Sequence, residues 1–328
     1  MRLGVYFDGF STVSEIRDIA AQAEEAGAKS LWFAQHMGYR EAMIVTAAVA
    51  YATKSSKLVP TAITPYLWPS LPTAMSLATL HELAPGRIQV AVSVGNLLNL
   101  SESGREAVKP VRVIREYVGN IRALLSGEIV RSDGLIETLR GAHMDFGKGI
   151  EVLIYVASTG PKVMHLAGQI GDGILLSAGL THAYTRRCLA AVEAGAREAG
   201  RDPNAISKAG FINLNISKDG KAARAALLRK LAFLFRSRGH SENIKSSNLD
   251  IDHQAIIDAL SRRDLDEAAR MLPEQAATAF GVAGTPAECR QQLESYLALG
   301  LTEPIIEVTG LPEERQLALD LIRELAPR

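Results

Sequence analysis

The sequence has little of what usually announces a function at first sight. It contains two cysteines, Cys188 and Cys289, in 328 residues. They are too few and too far apart for a disulfide scaffold and fit a reduced, cytoplasmic enzyme. Aromatic residues make up only 5%, which argues against a stacking surface for single-stranded nucleic acid. Lys plus Arg and Asp plus Glu are equal at 36 each, so no net charge draws nucleic acid or an anionic membrane. No apolar run reaches membrane-spanning length, and the chain starts directly on a strand with no signal-peptide apolar region. His-Glu-x-x-His and Cys-x-x-Cys are missing, so no metal site is expected. A Gly-x-Ser-x-Gly elbow and a P-loop are missing too. Asp8-Gly9-Phe10-Ser11, after the first strand, is not the Gly-x-Gly-x-x-Gly turn of a doubly wound dinucleotide-binding sheet.

What is present is alternation. Short apolar, β-branched runs are separated by amphipathic helical stretches along the whole chain. The runs are Leu3 to Phe7, Ser30 to Phe33, Leu58 to Ile63, Ile88 to Val94, Val152 to Val156, Gly173 to Leu176, Gly210 to Ile216 and Ile305 to Val308. Thr12 with Glu15, and Thr285 with Pro286 and Glu288, read as helix-starting capping boxes. A glycine- and charge-rich excursion with a small hairpin spans about 127–149, and an insertion after strand seven spans about 236–271. Eight nearly all-apolar strands imply a parallel sheet buried on both faces. The expected fold is therefore a (β/α)8 TIM barrel, α/β in class, as one domain over 1–328.

In such a barrel the working residues follow the strands, at the C-terminal face. After strand two come Gln35 and His36, the latter a ring donor within reach of a ligand. After strand three come Thr61 to Pro65, and after strand four Gly95, Asn96 and Asn99. Ala157-Ser158-Thr159-Gly160-Pro161 follows strand five. Proline fits a first helical turn, and the free N–H groups there can grip a phosphate. Ser177-Ala178-Gly179 after strand six forms a second small-residue loop beside it. Ordinary helix capping explains either loop alone; two on successive late strands favour a phosphorylated ligand.

These residues resemble the luciferase-like superfamily, in its methylenetetrahydromethanopterin reductase branch. The resemblance runs through Ala23-Glu24-Glu25-Ala26-Gly27, Thr64-Pro65-Tyr66, Ala78 to Leu83 with Gly86-Arg87, and Lys109-Pro110-Val111. It continues through Gly160-Pro161, Ala167-Gly168 with Asp172-Gly173, and Val282 to Pro286. It implies a flavin or deazaflavin at the barrel mouth, coenzyme F420 with FMN as the alternative, and a small organic substrate. It also implies a non-proline cis peptide at Thr61-Ala62 behind the ring, with Gly95 and Asn99 touching the ring or its side chain. Ala157 to Pro161 and Ser177 to Gly179 would surround the phosphate tail, and His36 would be the catalytic hydrogen-bonding group. Members are often homodimers or homotetramers.

The sequence departs from the deazaflavin-using relatives at three mouth positions, where Tyr6, Gln35 and Asn96 stand in place of acids. Two other functions stay open. One is an FMN-dependent monooxygenase with Trp32, Phe33, Tyr66 and Trp68 as apolar walls. The other is a flavin-binding protein without catalysis.

Overall fold

The computed structural model of the protein describes residues 1–326. Eight strands form one sheet: β1 (Gly4–Phe7), β2 (Ser30–Ala34), β3 (Lys57–Thr61), β4 (Gln89–Ser93), β5 (Leu153–Ala157), β6 (Gly173–Leu176), β7 (Ser207–Ile212) and β8 (Glu303–Glu307). All neighbours are parallel, in the order β3-β2-β1-β8-β7-β6-β5-β4. The ends β3 and β4 meet through isolated parallel bridges, Leu58 to Ile88 and Ile63 to Val92. Those bridges close the sheet into the expected barrel.

Side chains of a strand alternate between faces, and here both faces are dry. Trp32, Val59, Ala91, Tyr155, Leu175, Ala209 and Ile305 fill the barrel interior. Their chain neighbours Leu31, Phe33, Leu58, Val90, Val92, Ile154, Val156, Ile174 and Ile306 pack outward against the helices. Each such side chain contributes about 1.5–3 kcal/mol of burial. Interior packing is close: Trp32 meets Tyr155 edge-on at 5.1 Å. A Cβ on Gly173 would lie 2.3 Å from the Tyr155 ring, so that strand position admits only glycine.

The helix ends follow the sequence signals. Both capping boxes form, at Thr12 with Glu15 and at Thr285 with Glu288. The excursion carries the antiparallel hairpin Val130–Asp133 with Thr138–Ala142.

Most strand ends shift by a residue or more from the sequence reading, and β7 departs furthest. β7 begins at Ser207 rather than Gly210 and ends at Ile212. The residues expected to extend it, Leu214–Ile216, form a separate short strand paired with Val282–Gly284. The polar start hid the strand, because Lys208 is buried along its stem while its ammonium reaches Glu193 at 3.7 Å.

The polar stretch 241–248 of the insertion, whose composition reads as a loop, contains the helix Ser241–Lys245, and helical structure continues past Met271 to Ala279. With the helix Gly220–Leu234, this segment builds a second core around Leu227, Leu231, Phe235, Ile256 and Phe280.

Candidate active site

The C-terminal ends of the strands form the barrel mouth. Tyr6, Ala62, Ala157 and Phe211 make the partly open upper edge of the interior cluster. Two residues inferred from sequence, Ala62 and Ala157, therefore share one layer. The Thr61–Ala62 peptide is cis and lies between the two bridges that join β3 to β4. Thr61 itself is buried, its hydroxyl donating to the Val59 carbonyl at 3.0 Å. Gly95 sits opposite, with φ +88° and a Cβ position 3.2 Å from Thr64. Asn99 lies half-buried on the short helix Leu97–Glu102.

The loop after β5 has the form of an anion cradle. Gly160 caps the helix Pro161–Ile170 with no side-chain hydrogen bond, so first-turn N–H groups are left for another partner. Ser158 accepts from the Gly160 N–H at 3.0 Å, which leaves its own O–H free to donate. Thr159 is held from behind, its carbonyl accepting from the Tyr184 hydroxyl at 3.1 Å.

On the loop after β6, Ser177 is exposed, Ala178 is half-buried and Gly179 is buried. A Cβ on Gly179 would come within 2.3 Å of Leu234. Asn243, from the insertion, pins this loop: its amide donates to the Gly179 carbonyl at 2.6 Å and accepts from the Thr181 N–H at 2.9 Å. Nothing in the sequence spacing pointed to Asn243.

His36 is exposed on the rim, 5.6 Å from the Phe10 ring. Partial desolvation pushes its imidazole below the ordinary range; Asp8 opposes the shift and Arg236 adds to it. A neutral ring at physiological pH can donate and accept at once.

The three positions that lack the expected acids have separate explanations. Gln35 accepts from the Ala42 N–H at 2.7 Å and holds the following helix start. Asn96 caps the helix Leu97–Glu102, accepting from Leu98 N at 2.9 Å. Both side chains are committed to backbone. Tyr6 instead points into the barrel, its ring 4.6 Å from Phe211. Burial first, then the neighbouring Glu307 carboxylate, hold its hydroxyl well above the usual phenol range.

Glu307 is the acid that sequence reasoning missed. It ends β8 only 3% exposed, in register with Tyr6, and pairs with Lys230 of the helix Gly220–Leu234. The signal lay in strand period: residues 303, 305 and 307 share one face.

The aromatic walls expected of a monooxygenase do not assemble. Trp32 lies below the mouth, Phe33 and Trp68 pack with the outer core, and the Tyr66 hydroxyl is bound to the Val108 carbonyl at 2.7 Å. No cluster of three potential metal ligands occurs among the described residues.

Comparison with known proteins gives this geometry its setting. Residues 1–303 match the family of luciferase-like monooxygenases. The chain belongs to the luciferase-like family. A 5,10-methylenetetrahydromethanopterin reductase of Methanolobus tindarius is 28% identical to this luciferase-like chain over 98% of each sequence. An F420-dependent glucose-6-phosphate dehydrogenase of Nocardia farcinica is 31% identical, over 96% of this chain and 93% of its own. The coenzyme F420-dependent tetrahydromethanopterin reductase of Methanopyrus kandleri superposes with a TM-score of 0.91, at 24% identity and covering 98% and 97% of the two chains. Its likeness is one of fold.

Proposed function

We propose that this luciferase-like enzyme is an oxidoreductase that transfers a hydride between coenzyme F420 and a small organic substrate. One observation carries the reading. The uncapped helix start at Gly160 opens on the same barrel end as His36 and Ala62, in a chain 31% identical over 96% of its length to an F420-dependent glucose-6-phosphate dehydrogenase. The residues suit such a group: first-turn N–H groups and the Ser158 hydroxyl for a phosphate, and Ala62, Gly95 and Asn99 beside a flat ring. Ala157, Thr159, Pro161, Ala178 and Gly179 would shape the phosphate side, with Ser177 as a further donor. The bound cofactor supplies the hydride chemistry. The protein's part is to orient the ring, exclude water and hold a hydrogen bond at the His36 imidazole.

The test is titration of the purified protein with F420 and with FMN, followed by cofactor fluorescence. Saturable F420 binding that His36→Ala weakens supports the reading. Tight binding of FMN with no F420 binding would replace it with the monooxygenase reading, which rests on the family alone because its aromatic walls are dispersed. Binding without any redox turnover would favour a non-catalytic carrier.

The same proposal includes a cytoplasmic location, resting on two unpaired buried cysteines, and a single domain in which the insertion serves the barrel. It includes a homodimer or homotetramer as well. Ile44 on the helix Ala42–Ala50 and Tyr51 just after it, 68% and 80% exposed, and Ile129, 66% exposed at the excursion, offer apolar surface for contact. Light scattering reads the assembly. No helix among the described residues is long and apolar enough to cross a membrane.

A further inference from the structure

Glu307 has an oxygen with nothing to bind. Lys230 takes Oε2, while Oε1 is buried and has no hydrogen-bond partner among the described residues. The groups that face the carboxylate come from three other elements. Tyr6 stands on β1 with Asp8 beyond it, Lys230 reaches in from the helix Gly220–Leu234, and the neutral Phe211 ring of β7 lies against Tyr6. A buried acceptor left unpaired costs about 1–3 kcal/mol, and more when charged. Oε1 is itself closed off from solvent, so the open end of the barrel, where working groups gather, reaches it through the neighbouring Tyr6 hydroxyl.

We propose that Glu307 is the proton-handling acid of this site, with Oε1 as the atom that holds the proton. This rests on the F420 reading. Oxidation of an organic donor by F420 balances as donor-H2 plus F420 giving donor plus F420H2. The hydride carries both electrons, and the second hydrogen leaves the donor as a proton that must reach the reduced ring. In that direction the Glu307 carboxylate would take up the proton released by the donor by way of the Tyr6 hydroxyl, which passes its own proton to Oε1 as it accepts the donor's, and would return it towards the reduced ring by the same route; in the reverse direction the transfers run backwards. Lys230 holds the carboxylate in place between turnovers. No electron passes through Glu307.

The experiment needs no known substrate. Dissociation constants of F420 and of F420H2 are measured from acid to alkaline pH for the wild type, Glu307→Gln and Glu307→Asp, with the titrations of the free cofactors subtracted. If Oε1 exchanges a proton with the bound ring, the ratio of the two constants changes by up to tenfold per pH unit in the wild type. That slope is flat in Glu307→Gln, and it returns in Glu307→Asp. Should the glutamine variant fail to fold, Glu307→Met, which removes charge and orphan together, gives the same comparison. An unchanged slope in a folded Glu307→Gln or Glu307→Met protein overturns the proposal and leaves F420 binding intact. Absence of F420 binding by the wild type overturns the cofactor reading itself, and this inference with it.

Discussion

One strand of the barrel carries two buried glutamates, and they have opposite surroundings. Glu303, at the bottom of β8, is 1% exposed and fully engaged. Arg2 binds Oε2 at 3.0 Å, and the Ser30 hydroxyl, itself receiving the Trp32 indole N–H at 2.6 Å, donates to Oε1. Glu307, four residues along at the top, is nearly as buried but has one oxygen paired and the other free. The bottom acid closes a network; the top acid leaves one incomplete. In barrels of this kind the first arrangement belongs to stability and the second to chemistry. The same residue type, on the same strand and the same face, divides by which end of the barrel it occupies.

That contrast breaks most readily at the top. With any donor the wild type oxidises, Glu307→Gln should lower kcat by at least about 100-fold, the lower end of what a positioned proton-transfer group supplies. Its unfolding midpoint in denaturant should barely move. A variant with normal kcat would make the two acids alike.

Glu303→Ala should do the converse. It strips Arg2 and Ser30 of their partner and should cost about 3 kcal/mol in urea unfolding. That is the low end for a broken buried pair, because the Arg2 side chain is 45% exposed. F420 affinity of the folded fraction should stay as it was, and a parallel loss of affinity would erase the distinction.

The insertion sharpens the comparison through pH. Burial, helped by His253 and Arg236, pushes His240 down from 6.5 to about 4. Below pH 6.5 the unfolded chain binds a proton that the folded chain refuses, so stability falls as pH drops from 6.5 towards 4 and is untouched above that window. His240→Gln should recover about 1–3 kcal/mol of this loss in unfolding curves at pH 5 against pH 8. Equal curves for variant and wild type would show that acid acts elsewhere.

The smallest effect belongs to the rim. His36→Ala should weaken F420 binding or turnover by about tenfold, the worth of one hydrogen bond of roughly 1.4 kcal/mol. Unchanged values for both would remove His36 from the site.

The sequence made the barrel legible because its strands are apolar on both faces, and β6 was readable to the residue between Gly173 and Leu176. The same property concealed the acid. A strand with no polar and apolar alternation does not say which residues look inward, so Glu307 within Ile305 to Val308 carried no direction until β8 was seen to start at Glu303. Its partner Lys230 lies 77 residues away along the chain, a contact only tertiary packing creates. Gln35 and Asn96 stood out as missing acids, whereas their amides serve helix starts, a competing use that local hydrogen bonding favours. The β7 start was lost to Ser207 and Lys208, polar residues whose burial depends on Glu193 in a neighbouring helix.

Asn243 staples the loop after β6 at two points, Gly179 and Thr181, from a segment more than sixty residues downstream. A chimaera that borrowed this segment from a relative lacking that amide would release both ends of the staple at once. Gly179 would also lose the Leu234 surface shaped around it if the adjoining helix were exchanged. The β6 loop and the insertion are thus one cassette: they must be inherited, or engineered, together.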